Sequence, residues 1–186
     1  MIAFVGLGNI GDSYSNTKHN AGFWAIDQYS HRNSMGFQPG DGEYVFSKNK
    51  RSQVLLVKPT TMMNKSGRAV KDIMLRWGLL PSQIVVVLDD VDLPLGTIRI
   101  RPKGGDGCHG GLRNVIHHVK TGSFPRIRLG IAEISEDIRP SEKYVLKPFK
   151  KGSKKKVELM ISRCVDAMHC IASVDLNRAM GTFNSQ

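Results

Sequence analysis

"FVGLGNIGDSYSNTKHNAGF", residues 4–23, is the stretch whose reading decides the fold. It contains Gly6-Leu7-Gly8-Asn9-Ile10-Gly11, which fits the G-x-G-x-x-G pattern of a dinucleotide-binding loop. In that fold the glycines end a strand and open a helix at once, so the helix N-terminus faces a pyrophosphate. Ile2-Ala3-Phe4-Val5 reads as a buried strand, but residues 12–19 offer only Tyr14 as an apolar group at helical spacing. An apolar face returns at Phe23, Trp24, Ile26 and Tyr29, which puts the helix start near Asn20, after a polar loop. The acidic residue expected at the end of a second strand is also missing, because the next apolar β-like run begins only after residue 50. The cofactor reading fails on context, and no cofactor is expected.

Working outward, Tyr44-Val45-Phe46 and Val54-Leu55-Leu56-Val57 read as two strands joined by the polar turn at residues 49–52. Pro59 stops the second strand, and Ser66 is expected to cap a helix carrying Val70, Ile73, Met74 and Trp77, ended by Gly78 and Pro81. Ile84-Val85-Val86-Val87-Leu88 is a continuous apolar run, the signature of a strand covered on both faces, and it leads into Asp89-Asp90-Val91-Asp92. Thr97–Arg101 alternates apolar and basic residues, a glycine-rich loop spans residues 104–111, a helix is expected over Leu112–Val119, and Arg126–Ile131 reads as a strand. Residues 147–156 form a basic, flexible link into a last helix carrying Val157, Met160, Ile161 and Val165. Strands alternating with helices imply one α/β domain over residues 1–186, with a mixed, largely parallel sheet flanked by helices.

The composition narrows the partners. Apolar residues make up 40% and charged residues 23% of 186, as in a globular protein with a real core. No apolar run is long enough to span a membrane, and the N-terminus enters a strand with no charged leader, so a cytoplasmic location is expected. The three cysteines are scattered, which argues against a disulfide framework, and no Cys/His spacing suggests a zinc site. Lys and Arg number 27 against 16 acids, a net of +11, which favours a polyanionic partner, nucleic acid ahead of membrane.

Function in such folds gathers in loops after the carboxyl ends of strands. Asn9, His19 and Asn20 follow the first strand, Asn64 follows the Val54–Val57 strand, Asp89 ends the central run, and His109 sits in the glycine loop. Two imidazoles, a carboxylate and several amides suit a histidine base activating water, with a carboxylate orienting the ring and amides polarising a carbonyl. There is no G-x-S-x-G elbow. Each residue also has a plainer reading. Asn9 could supply only a turn, and His19 could cap a helix. Asp89, Asp90 and Asp92 could hold magnesium or shape the turn before Pro94, while Arg99 and Arg101 could form a solvated strand face.

The motifs then meet a known pattern. V-G-L-G-N-I-G-x-x-Y-x-x-T-K-H-N-A-G-F resembles the N-terminal signature of bacterial peptidyl-tRNA hydrolases. Lys58–Gly67, Asp89–Gly96 and Gly104–Leu112 resemble the family's second, third and fourth signatures, in the right order across residues 2–131. The resemblance implies a monomeric, cytoplasmic esterase that needs no metal and frees tRNA from peptidyl-tRNA lost by the ribosome. It makes His19 the general base, Asp89 the carboxylate that keeps it basic, and Asp92 a structural aspartate of the turn. Asn9 would contact the peptide and help reject unblocked aminoacyl-tRNA, with Gly8 admitting the close approach. Asn64 would position the ester and the water. Tyr14 and Met62 would line the place of the tRNA 3′ end with His109 at its flank, and Arg101 and Arg128 would hold the tRNA 5′ phosphate. Three residues depart from the family's usual choices: Ile10 replaces proline, Met62 an aromatic, and Gly110 an asparagine or basic residue. Gly110 is left with only its backbone N–H to offer the tRNA.

Overall fold

The computed structural model describes residues 1–133 and 137–184. In chain order the strands are β1 (Ile2–Gly6), β2 (Gln38–Pro39), β3 (Tyr44–Asn49), β4 (Val54–Pro59), β5 (Ile84–Pro94), β6 (Ile98–Arg101) and β7 (Arg126–Ala132). The helices are α1 (Ala21–Arg32), α2 (Ser66–Trp77), α3 (Gly110–Val119), α4 (Ser141–Val145), α5 (Lys154–Ser173) and α6 (Leu176–Phe183). The sheet runs β2-β3-β4-β1-β5-β7-β6. β1 pairs parallel with β4 and β5, and β5 pairs parallel with β7. The outer pairs β2–β3, β3–β4 and β6–β7 are antiparallel. This is the mixed, largely parallel α/β sheet expected from the sequence.

The continuous apolar run of β5 has two destinations. Val85 and Val87 join Phe4, Leu56, Ile127 and Leu129 on one face, packed against residues of α1, α5 and α6. Ile84, Val86 and Leu88 join Val5, Leu55 and Val57 on the other, packed against residues of α2 and α3. Side chains alternate along a strand, so a central strand between two helical layers needs apolar residues at every position.

α1 begins one residue after Asn20, behind two 3₁₀ turns, Asp12–Tyr14 and Lys18–Asn20. The glycines of the opening stretch make room for packing. A Cβ on Gly6 would lie 2.5 Å from the Gly22 carbonyl oxygen, and one on Gly22 would lie 2.5 Å from those of Leu7 and Val87. Gly8 has the ring of Phe23 where its Cβ would be, 2.7 Å away, so this packing requires a glycine there. Helix α1 is thereby pressed onto β1 and β5, which carries residues 18–20 to the end of the sheet where Asp89 stands.

Helix α2 ends as expected, at Gly78 in the left-handed region with φ 59°. Its start differs. Ser66 is the first helical residue and its Oγ donates to the Met63 carbonyl at 2.8 Å, so it does not cap. The Gly67 N–H is received by Asn114 Oδ1 at 2.8 Å, a contact from α3 that local sequence does not reveal. The short elements β2 and α4 lack a readable periodicity, whereas the terminal α6, with Leu176, Ala179, Met180 and Phe183 at helical spacing, carries one and adds a helix beyond the last one expected. Within residues 147–156, the start is tied to the first loop: Lys18 N–H donates to the Lys147 carbonyl at 3.0 Å, and Thr17 bridges to Pro148.

Candidate active site

Four chain segments meet over the carboxyl ends of β1, β4 and β5. The loop after β1 is held by reciprocal bonds with Asn20: Asn9 N–H donates to Asn20 Oδ1 at 2.8 Å, and Asn20 Nδ2 donates to the Asn9 carbonyl at 3.0 Å. Asn9 Oδ1 in turn accepts the Met63 N–H at 2.7 Å, from the turn after β4. That bond fixes the orientation of the buried amide. Its oxygen is committed, and its NH₂ has no protein partner among the described residues.

The electrostatic centre is Asp89, 1% exposed near the end of the paired part of β5. His19 Nδ1 lies 2.9 Å from each carboxylate oxygen, and His109 Nε2 lies 3.1 Å from Oδ1. His109 caps α3, its Nδ1 accepting the Leu112 N–H at 3.1 Å. The cap assigns its tautomer: Nδ1 accepts and Nε2–H donates. Asp89 therefore receives two imidazole N–H groups. Burial alone would raise its pKa, yet the charges and hydrogen bonds of His19 and His109 hold the carboxyl far below the usual carboxylate range. For His19, burial disfavours the imidazolium most, but the Asp89 charge and hydrogen bond together outweigh it, leaving the pKa above the ordinary 6.5. With Nδ1 bound to Asp89, Nε2 remains as the basic nitrogen.

A cleft of about 620 Å³ opens over these groups. Every residue expected at the site lines it: Asn9, Tyr14, His19, Met62, Asn64, Asp89, Arg101, His109, Gly110 and Arg128. Asn64 and Met62 are exposed on the turn after β4, and Tyr14 is half-buried on the turn after β1. Arg128 is paired through Nε with Asp90, whereas Arg101 is exposed. The stretch after Asp89, where the pairing of β5 with β7 becomes irregular, is organised differently from the turn expected there. Asp90 Oδ1 accepts the Asp92 N–H at 2.9 Å, and Asp92 instead reaches Arg139 Nη2 at 3.0 Å. Asp90 is the aspartate that braces this irregular stretch of β5, because its short side chain closes onto the backbone two residues ahead.

Two further participants are not legible in the sequence. The bond from His109 to Asp89 is one, because periodicity cannot place a loop imidazole against a residue twenty positions away; the available signal is a histidine at an N-cap, followed by two glycines. Arg126, 2% exposed, is the other. It lines the cleft and donates to the carbonyls of Phe124, Gly105 and Gly122 at 3.2, 3.1 and 3.0 Å. It pins the glycine loop, and burial, with the charge of Arg128, lowers its pKa to about 10. Among the described residues, the ligand atoms of His19, Asp89 and His109 form the one cluster of metal-binding type, all within 4.8 Å of one another. Both imidazole nitrogens there are already engaged with the carboxylate. No helix among the described residues is long and apolar enough to cross a membrane.

This geometry has known relatives. The family model described as peptidyl-tRNA hydrolase matches residues 3–186. The peptidyl-tRNA hydrolase of Thermodesulfovibrio yellowstonii is 35% identical over 187 residues, covering 99% of each chain. That of Clostridium botulinum strain Eklund 17B is 37% identical over 189 residues, covering 99% of this chain and 96% of the relative. The crystal structure of the Acinetobacter baumannii peptidyl-tRNA hydrolase superposes with a TM-score of 0.91 at 28% identity, covering 100% of this chain and 95% of that one. With residues 3–186 matched by the family model and relatives of more than 30% identity over nearly the full chain, the chain belongs to the peptidyl-tRNA hydrolase family.

Proposed function

We propose that this enzyme cleaves the ester between a peptide carboxyl and the terminal ribose hydroxyl of peptidyl-tRNA, using water activated by His19. The observation that carries the reading is the buried Asp89 receiving the His19 Nδ1–H while Nε2 is left as the base. Nε2 takes a proton from water as its oxygen attacks the ester carbonyl carbon. The tetrahedral intermediate collapses by expelling the ribose oxygen, and the imidazolium returns the proton to it. Peptide acid and tRNA leave, with atoms and protons balanced. Asp89 holds the tautomer and stabilises the imidazolium as it forms, a role an ionised carboxylate fills without titrating. His109 adds a second N–H to the same carboxylate and keeps it ionised.

Asn9 presents its NH₂ as a donor to the peptide unit, because its oxygen is already taken by Met63. Asn64 positions the ester and water from the opposite turn. Tyr14 and Met62 contact the 3′-terminal nucleotide, Gly110 offers its backbone N–H, and Arg101 and Arg128 contact phosphate. The net charge of +11 fits that polyanion. All these groups come from one chain, which supports action as a monomer, in the cytoplasm where tRNA works.

The test is incubation with N-acetylaminoacyl-tRNA, with and without EDTA, following release of free tRNA. The wild type should turn over in both. His19→Ala should lose at least about a hundredfold in kcat while still binding tRNA, the loss expected of a positioned base. Wild-type rates in that variant would refute the mechanism.

A further inference from the structure

Beside the base lies a cation that the chemistry above does not use. Lys18 is 0% exposed. Its Nζ donates to the Pro148 carbonyl at 2.9 Å, stands 3.7 Å from Glu133 Oε2, and lies over the rings of Tyr144 and Phe149 at 4.4 and 5.3 Å. Burying an ammonium is costly unless partners surround it. Among the described residues, those partners come from the segment after β7, helix α4 and the chain entering α5. Glu133 Oε1 accepts from Ser153 Oγ, and the Tyr144 hydroxyl donates to the Ile131 carbonyl at 2.6 Å and accepts the Glu133 N–H at 3.1 Å. Glu133 Oε2, buried without a hydrogen bond among the described residues, faces the ammonium as a charge partner alone.

The position of Lys18 in the chain gives that cluster a consequence. The next residue is His19, on a 3₁₀ turn closed by two backbone bonds, Asn20 N–H to the Thr17 carbonyl at 3.0 Å and Ala21 N–H to the Lys18 carbonyl. A single short turn does little to fix a ring. The side chains flanking His19 do more, Asn20 gripping Asn9 on one side and Lys18 gripping residues 133 and 148 on the other. The same α4 that carries Tyr144 supplies Ser141, Glu142 and Val145 to the wall of the cleft. The base and that wall thus share one buried anchor.

We propose that Lys18 is a positioning residue for hydrolysis: its buried ammonium locks the His19 turn to α4 and residues 133 and 148, setting the imidazole against Asp89 and the cleft wall. The proposal rests on His19 being the base. A misplaced catalytic group loses rate without losing substrate affinity, whereas a merely structural lysine affects stability alone.

The experiment compares wild type, Lys18→Met, Lys18→Arg and Glu133→Gln on N-acetylaminoacyl-tRNA, well below each variant's unfolding temperature. It reads kcat and KM separately, together with the low-field proton resonance of His19 Nδ1–H, assigned by its absence in His19→Ala. Lys18→Met should lose about tenfold or more in kcat, with KM changed by less than about threefold and the resonance weakened. Lys18→Arg, which keeps a cation and donors, should recover most of the loss. Folded Lys18→Met with near-wild-type kcat and an intact resonance overturns the proposal, as does an equal loss in Lys18→Arg with KM degraded alongside kcat. Should Lys18→Met not fold, Glu133→Gln decides: reduced kcat with a weakened resonance supports the anchor, and no change in either overturns it. Full activity in His19→Ala would instead overturn the base assignment, a result separable from failure at Lys18 alone.

Discussion

The floor of the cleft and its basic wall are built by opposite means. On the floor, Asp89 is buried under two imidazole N–H groups, Asn9 is tied at three atoms, and His109 is fixed by its capping bond. On the wall, Arg101 is exposed, Arg128 carries its counter-charge with it on Asp90, and Gly110 has no side chain at all. A hydrolytic centre must hold its groups in place before substrate arrives, because reorganisation during the reaction would raise the barrier. A surface for a charged backbone has no such need, since ionic attraction acts at range and tolerates small displacements. Substitutions on the floor should therefore appear in kcat and its pH dependence, and those on the wall in KM and its salt dependence.

The sharpest way to break this division is Asp89→Asn. The proposed base, His19, would act when neutral, and its pKa is raised above 6.5, so the rate should fall on the acid side with a midpoint above that value. Removing the carboxylate removes both influences that raise the pKa and leaves burial, which lowers it. The acid limb of Asp89→Asn should move to lower pH, below 6.5. The rate on its plateau should nevertheless drop about thirtyfold, because orientation and imidazolium stabilisation are lost. A full pH–kcat profile checks both. The same signs apply to folding. The Asp89 contribution to stability is present above 3.8 and fades as the carboxylate is protonated at low pH, while the His19 contribution is present below 6.5 and fades as pH rises through its raised folded value.

Asn9→Asp sharpens the comparison at the level of selectivity. The carboxylate can still accept the Met63 N–H but loses the NH₂ proposed to meet the peptide unit, and its charge would attract the ammonium of an unblocked aminoacyl ester. The preference for N-acetylated over free aminoacyl-tRNA, measured as the ratio of kcat/KM values, should erode by about tenfold, the worth of one buried hydrogen bond. An unchanged ratio would reduce Asn9 to a loop brace between β1 and Met63.

How much of this division is legible in the sequence depends on how local the signal is. The late start of α1 is readable because residues 12–19 lack an apolar face, and the placement of β5 because its continuous apolar run has one physical explanation. The floor residues can be named from motif order, since each follows a strand end. Their partners cannot. Lys18 lies in a polar run that carries no sign of burial, yet residues 133 and 148 close over it. Asp92 and Asp90 are indistinguishable in a string of acids until the fold decides which carboxylate meets the backbone. Arg126 and Arg128 alternate on one strand, and only the fold shows that the first is buried on carbonyls while the second faces Asp90. Long-range pairing is the information that composition and period lack.

On the wall, Arg101→Ala should raise KM and flatten its salt dependence, by about 0.9 in the log–log slope for each duplex phosphate that is no longer neutralised, with kcat nearly unchanged. Arg128→Ala should have the smaller effect on the slope, because Asp90 already offsets part of its charge and is left uncompensated when the arginine is removed. Equal slopes in wild type and the double variant would mean that these arginines form only a solvated strand face.

The smallest expected effect is a gain. Gly110 opens α3 beside the cleft, and a Cβ built there meets nothing within 4 Å. Its φ is not among the positive values of the chain, so a side chain imposes no backbone strain. Gly110→Asn should fold normally and add a polar group where the proposed tRNA contact is a backbone N–H alone. One exposed hydrogen bond contributes about 0.5–1.5 kcal/mol, so KM for N-acetylaminoacyl-tRNA should fall by about two- to tenfold. The floor is untouched, and kcat should stay at the wild-type value. A fall in kcat would mean that the first turn of α3 carries His109 with it, and that floor and wall are mechanically one. An unchanged KM would place the tRNA away from Gly110 and leave contact on this side to His109.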